Sequence, residues 1–283
     1  MAGVRDGHTP KARLLGAELR ELREQADMTV RDLAKLLEVS QGTVSRYERG
    51  ERSPKPEYVA RVAGTLGVTG SRYDDLVEFA NTANTSNMIV DGSKGLHRHL
   101  IELSEFDRTA ERVLHVAPML IPGPMQTRSY AREMMISLPP DEQDVRVELR
   151  MARAAALDTP CQVEVILAER ALREPFGSDA LMAEQVRHVL ALSQQENITV
   201  RIIPSSLRRW TLAHDGAFVF YEFAKADPIV HLEHFRGPAF LYDVQDVKAY
   251  REETDTLMKA AMSQEDSAEL MVSIADQFEG SSQ

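Results

Sequence analysis

Cysteine is almost missing from this chain: its 283 residues contain one, Cys161, alongside one tryptophan and 6% aromatic residues. A single thiol excludes an internal disulfide. Cys161 stands beside Val163 and Val165 in an expected strand, with no His or cationic cluster next to it in sequence. It therefore reads as a packed thiol and not as a reactive one. No run of ~18 uninterrupted apolar residues occurs, which argues against a membrane helix. The opening MAGVRDGHTPKAR lacks the apolar core of a secretory signal, so a cytoplasmic protein is expected. A nucleophile elbow and a phosphate-cradling glycine loop are also missing, the one Gly-rich spot being Pro122-Gly123-Pro124. An enzyme is not expected.

Hydrophobic residues make up 43% of the chain, enough for a substantial core, and the length suits two domains of ~100–200 residues each. The net charge of −11 disfavours a nucleic-acid partner until its distribution is examined. Residues 1–70 hold 12 Lys and Arg against 10 Asp and Glu, whereas the rest holds 21 against 34. The acidic excess thus lies in the second part, and a small head can still present a basic edge to phosphates over a Debye length of ~8–10 Å.

Five short helices are expected in that head. Leu15, Leu19 and Leu22 space the first; Thr29 caps a second, with Asp32 at the capping-box position and Leu33, Ala34 and Leu37 inside. Ser40 caps a third over about 41–49 that stops at Gly50. Pro56 opens a fourth ending near Gly67, and Ser71 starts a fifth through Phe79. Beyond a polar segment at 81–95 the pattern changes to helices near 96–111, 127–137, 141–157, 178–195, 244–262 and 264–278. An apolar run at 113–116 follows the first of these helices, and strands are expected near 162–168, 198–203, 217–223 and 229–234. The expected fold is α+β in two domains: an all-α helix-turn-helix head, and a larger α/β domain with a mixed sheet. A flexible tail covers 1–11, the head 12–80, a linker 81–95, and the effector or partner-binding and dimerisation domain 96–283.

In TVRDLAKLLEVSQGTVSRYERG two short helices join at a turn near Glu38–Ser40. Ala34 supplies the small residue where they cross, while Val39 and Val44 plug the interface. Gln41, Gly42, Ser45, Arg46 and Arg49 then face outward on the third helix, whose N-terminus suits a phosphate. Residues 14–67 resemble the lambda-repressor-like (Xre) helix-turn-helix family, and SQGTVSRYERG is similar to its recognition-helix pattern. The resemblance implies base contacts from Gln41, Gly42 and Arg46, and phosphate contacts from Thr43, Arg49 and Arg52. It also implies an internal ion pair between Arg23 and Glu48. Two positions depart from the family: Val30 stands where a phosphate-touching Gln is frequent, and Glu38 stands where the turn has Gly, at a cost of ~1 kcal/mol for a positive φ.

The segments IPGPMQTRSYAREM, EVILAERALREPFG, ITVRIIP and AMSQEDSAEL resemble the WhiJ-like actinobacterial regulators, which join an Xre head to a domain of unknown function. That resemblance implies a small partner protein of the BldB-like or antitoxin-like type. The loop leading into Met125, Gln126 and Tyr130 reads either as a ligand or partner edge, with Arg153 and Glu169 lining the same face, or as a stiff core connection. His231-Leu-Glu-His234 and His97-Arg-His99 have metal-like spacing, but i and i+3 positions of a strand point to opposite faces. No metal or cofactor is expected. The reading is a homodimeric, sequence-specific regulator of double-stranded DNA whose second domain receives a protein or small-molecule signal; the alternative is an antitoxin-like or adaptor protein acting through protein–protein binding.

Overall fold

The computed structural model describes residues 10–82, 88–89, 103, 106–224, 226–234 and 237–281. Most of the expected tail, part of the 81–95 linker, residues 96–102 of the next helix, and both His97 and His99 lie outside them. The chain divides into two compact units, the first combining 1–106 with 223–229 and 235–243, the second combining 107–222, 230–234 and 244–283. Neither unit is one continuous stretch of chain.

The first unit holds the helices α1 (Pro10–Gln25), α2 (Val30–Leu36), α3 (Gln41–Glu48), α4 (Pro56–Thr65) and α5 (Ser71–Thr82). The leucines of the 3.6-residue pattern go inside: Leu15, Leu19, Leu33, Leu37 and Leu76 are all fully buried. Helix α1 begins at Pro10, inside the segment expected as tail, where proline at the first turn loses no intrahelical bond. Where a linker was expected, β1 (Met88–Ile89) pairs antiparallel with β7 (Gly237–Leu241), with Met88 opposite Phe240.

The second unit is a mixed sheet with helices. Strand β2 (Arg112–Ala117) lies parallel to β3 (Gln162–Ala168), and β3 parallel to β4 (Ile198–Ile203), while β5 (Phe218–Glu222) runs antiparallel to β2. With β6 (Ile229–His234) beside β5, the order is β6-β5-β2-β3-β4. Parallel neighbours require crossovers. Helices α6 (Arg128–Met134) and α7 (Pro140–Ala154) supply the first, α8 (Glu169–Arg173) and α9 (Asp179–Leu192) the second. Helices α10 (Val244–Ala260) and α11 (Gln264–Ser281) complete the unit. The outer edge of β4 is closed by Ser267, whose Oγ accepts from the Ile202 N–H at 3.0 Å, and by the Met262 N–H donating to the Ile202 carbonyl. Arg112 ties three strands together, reaching Glu164 on β3 and Glu222 on β5, each at 2.7 Å.

His115 sits in the middle of β2, opposite Val165 and Val219, and is buried. Burial pushes its imidazole down to about 3, and the Arg153 guanidinium adds to the shift. The unfolded chain takes up this proton near pH 6.5 and the folded chain does not, so stability is whole above pH 6.5 and is lost as the pH falls towards 3. The expected slope from this group is ~1.4 kcal/mol per pH unit. Urea unfolding between pH 7 and 5 checks it: His115→Phe should show a shallower decline than the parent, and equal slopes would remove His115 from the acid response.

Candidate nucleic-acid interface

Backbone donors set the recognition helix. Ser40 Oγ accepts from the Thr43 N–H at 3.0 Å and shares a hydroxyl hydrogen bond with Thr43 Oγ1, so α3 starts at a fixed residue. Thr29 and Asp32 form a reciprocal capping box on α2. Between the helices Glu38 adopts φ +54°, the left-handed turn conformation its position demands. Ala34 and Val44 are buried and Val39 half-buried, closing the α2–α3 interface.

Gln41, Gly42, Arg46, Arg49 and Arg52 are exposed, and Thr43 is half-buried. A Cβ at Gly42 would meet nothing nearer than Ser40 Oγ at 3.8 Å, so packing within the chain does not require glycine there. Arg49 donates to Glu51 at 2.8 Å, a contact a phosphate would have to share. Arg46 lies one turn along α3 from Gly42, and its carbonyl accepts from the Glu51 N–H at 3.0 Å.

Behind this face, Arg23 on α1 grips Glu48 on α3 with two charge-assisted bonds, Nε to Oε1 at 2.8 Å and an Nη to Oε2 at 2.9 Å. Arg23 also donates to the Met28 carbonyl at 2.8 Å. Both side chains are buried, so the pair locks the recognition helix to the scaffold. Two supports escaped the sequence reading. Arg61 on α4 donates to the Leu37 carbonyl at the end of α2. Gly16 lies where α1 meets α3, and a Cβ there would stand 2.2 Å from the Tyr47 carbonyl oxygen. Gly16→Ala is expected to cost at least ~1–3 kcal/mol by forcing the helices apart. Thermal melting checks this, and an unchanged midpoint would show that the crossing can widen freely.

The second-unit candidates separate. Met125, Gln126 and Tyr130 are buried and form no exposed edge. Gln185 on α9 explains why: its side chain accepts from the Thr127 N–H at 2.7 Å and donates to the Met125 carbonyl at 2.8 Å. Gln126 in turn donates to the Ile121 carbonyl and accepts from Arg150. The Pro122-Gly123-Pro124 turn is therefore a core connection. Arg153 pairs with Asp107 at 3.0 Å, whereas Glu169 bonds Arg173 and the Ser205 N–H, so the two do not serve one site. Cys161 is buried just before β3, and burial pushes its thiol up to about 11. His231 is buried on β6, while the side chain of His234 lies outside the described residues. Among the described residues no cluster of three or more His, Cys, Asp or Glu could hold a metal, and no helix is long and apolar enough to cross a membrane.

A family model described as a helix-turn-helix domain matches residues 14–76, which take in most of α1, all of α2 to α4 and part of α5. That head makes the chain a DNA-binding transcriptional regulator. Among solved structures, the crystal structure of the clp gene regulator ClgR from C. glutamicum is 29% identical, over 29% of this chain and 100% of that chain, with a TM-score of 0.22. No curated protein matches. A second model, a domain of unknown function (DUF5753), matches residues 100–273, more than half of the sequence, and the chain belongs to the DUF5753 family.

Proposed function

We propose that this chain is a sequence-specific regulator in which α3 enters the major groove as the recognition helix of an Xre-type head, and the DUF5753 domain receives a signal. The observation that carries the reading is the exposed Gln41–Gly42–Arg46 face on a helix held from behind by the buried Arg23–Glu48 pair. A recognition surface must present bidentate donors while its backbone stays fixed. Gln41 matches the edge of adenine and Arg46 that of guanine, and Gly42 permits close backbone approach. Thr43, Arg49 and Arg52 take phosphates, with Arg49 sharing itself between Glu51 and the DNA.

A single head of this size reads only a few base pairs, so the working form is a homodimer on two half-sites ~34–36 Å apart or a multiple of that spacing. The second domain carries the acidic excess and is no second DNA surface; it receives a small molecule or a small partner protein, as the WhiJ-like resemblance implies. A ligand shifts DNA binding only by preferring one of the free and bound forms, with a typical coupling of ~1–3 kcal/mol. A genome-wide binding profile of the full chain tests the reading. A short, pseudo-palindromic motif is the expected result, and occupancy without any shared sequence would overturn it.

A further inference from the structure

The three parallel strands of the second unit end at one place. Pro118 follows β2, Glu169 follows β3, and Pro204 follows β4, and together with the loop at 205–216 these ends enclose a cavity of about 430 Å³. The crevice outside the carboxyl ends of parallel strands is where open α/β sheets bind ligands, and clefts for small molecules run ~300–1,000 Å³. Much of its wall is apolar, with Met119, Ile203 and Leu207 among the lining residues.

The polar groups at the cavity narrow the chemistry. Glu169 is ionised: burial pushes its carboxyl up, but the Ser205 N–H at 2.8 Å and the Arg173 guanidinium outweigh that and hold it below its usual value. Its charge is matched by Arg173, and that of Arg170 by Glu174, so neither sign of charge is left over on α8. Across the cavity the Thr211 N–H donates to His214 Nδ1 at 3.0 Å. The same ring nitrogen lies 2.9 Å from the Thr211 carbonyl oxygen, so either tautomer finds a backbone partner at Nδ1 and Nε2 serves as donor in one and acceptor in the other. The Glu169 carboxylate is an acceptor that a hydroxyl satisfies by donating, without bringing a charge of its own. An ammonium group would compete with Arg173, and a carboxylate would face Glu169.

We propose that this cavity binds a neutral, largely apolar small molecule bearing a hydroxyl group, which donates to Glu169. Its use as a signal site rests on the regulator reading above; the binding itself does not. Calorimetry on the full chain with 2-(2-naphthyl)ethanol, and with the acid and amine of matched shape, is the test. The alcohol is expected to bind one to one, and the acid and amine at least tenfold more weakly. Glu169→Gln should narrow the gap between acid and alcohol. Ala168→Met, which fills the cavity, should abolish binding, and Ser205→Trp, at an exposed loop position, blocks the same space should the first variant melt early. No heat with the alcohol, equal binding of the charged analogues, or binding that survives both blocks would overturn the assignment. Titration of the site recovered from the genomic profile, with and without the alcohol, then bears on the regulator reading alone: binding that leaves DNA affinity unchanged supports the cavity and removes its signal role.

Discussion

Glu48→Ala is expected to lower the stability of the helix-turn-helix unit by ~3–5 kcal/mol, among the largest single effects in the molecule. The substitution leaves the Arg23 guanidinium buried with only the Met28 carbonyl and the exposed Glu24 to receive its hydrogens. Most of the cost is that stranded charge and not the value of the pair, which predicts an asymmetry. Replacing both partners by apolar residues of similar volume, Arg23→Met with Glu48→Leu, should recover most of the loss. Urea unfolding of the three proteins decides: a single variant as stable as the parent, or a double variant worse than either single one, would deny the pair this role.

The second large effect is on DNA. Arg46→Ala should cost ~1–3 kcal/mol on the chain's own site and much less on random duplex, because a base-reading side chain contributes where its base is present. Gln41→Ala should behave alike, through a different base position. Arg52→Ala, at a proposed phosphate contact, should weaken binding to all sequences about equally and lower the salt slope by about one. Equal losses on both DNAs for Arg46→Ala would move Arg46 from base to backbone.

The head was largely legible in the sequence, because its determinants are local. A cap at Ser40, the Thr29–Asp32 box and leucines at helical spacing specify α1 to α3 within a few residues each. What sequence concealed was contact at long range. Gly16 reads as a weak point in a helix until Tyr47, thirty-one positions away, is seen against it. The same holds for Gln185, whose side chain takes over the backbone of 125–127 and turns an apparent surface loop into core. Strand β7 went unseen because Gly237-Pro238 signals a turn, and α8 because it begins at the residue after β3, without a capping side chain. The cavity escaped for a related reason. Its walls come from three strand ends and a loop, of which only Glu169 carried a chemical signal in sequence.

The affinity of the full chain for its best genomic site, divided by its affinity for a scrambled duplex of the same length at physiological salt, tests the central claim most directly. A ratio of ~10³ or more, typical of specific readers, is expected, and it should collapse in Arg46→Ala. A ratio near one, with or without Arg46, would contradict it.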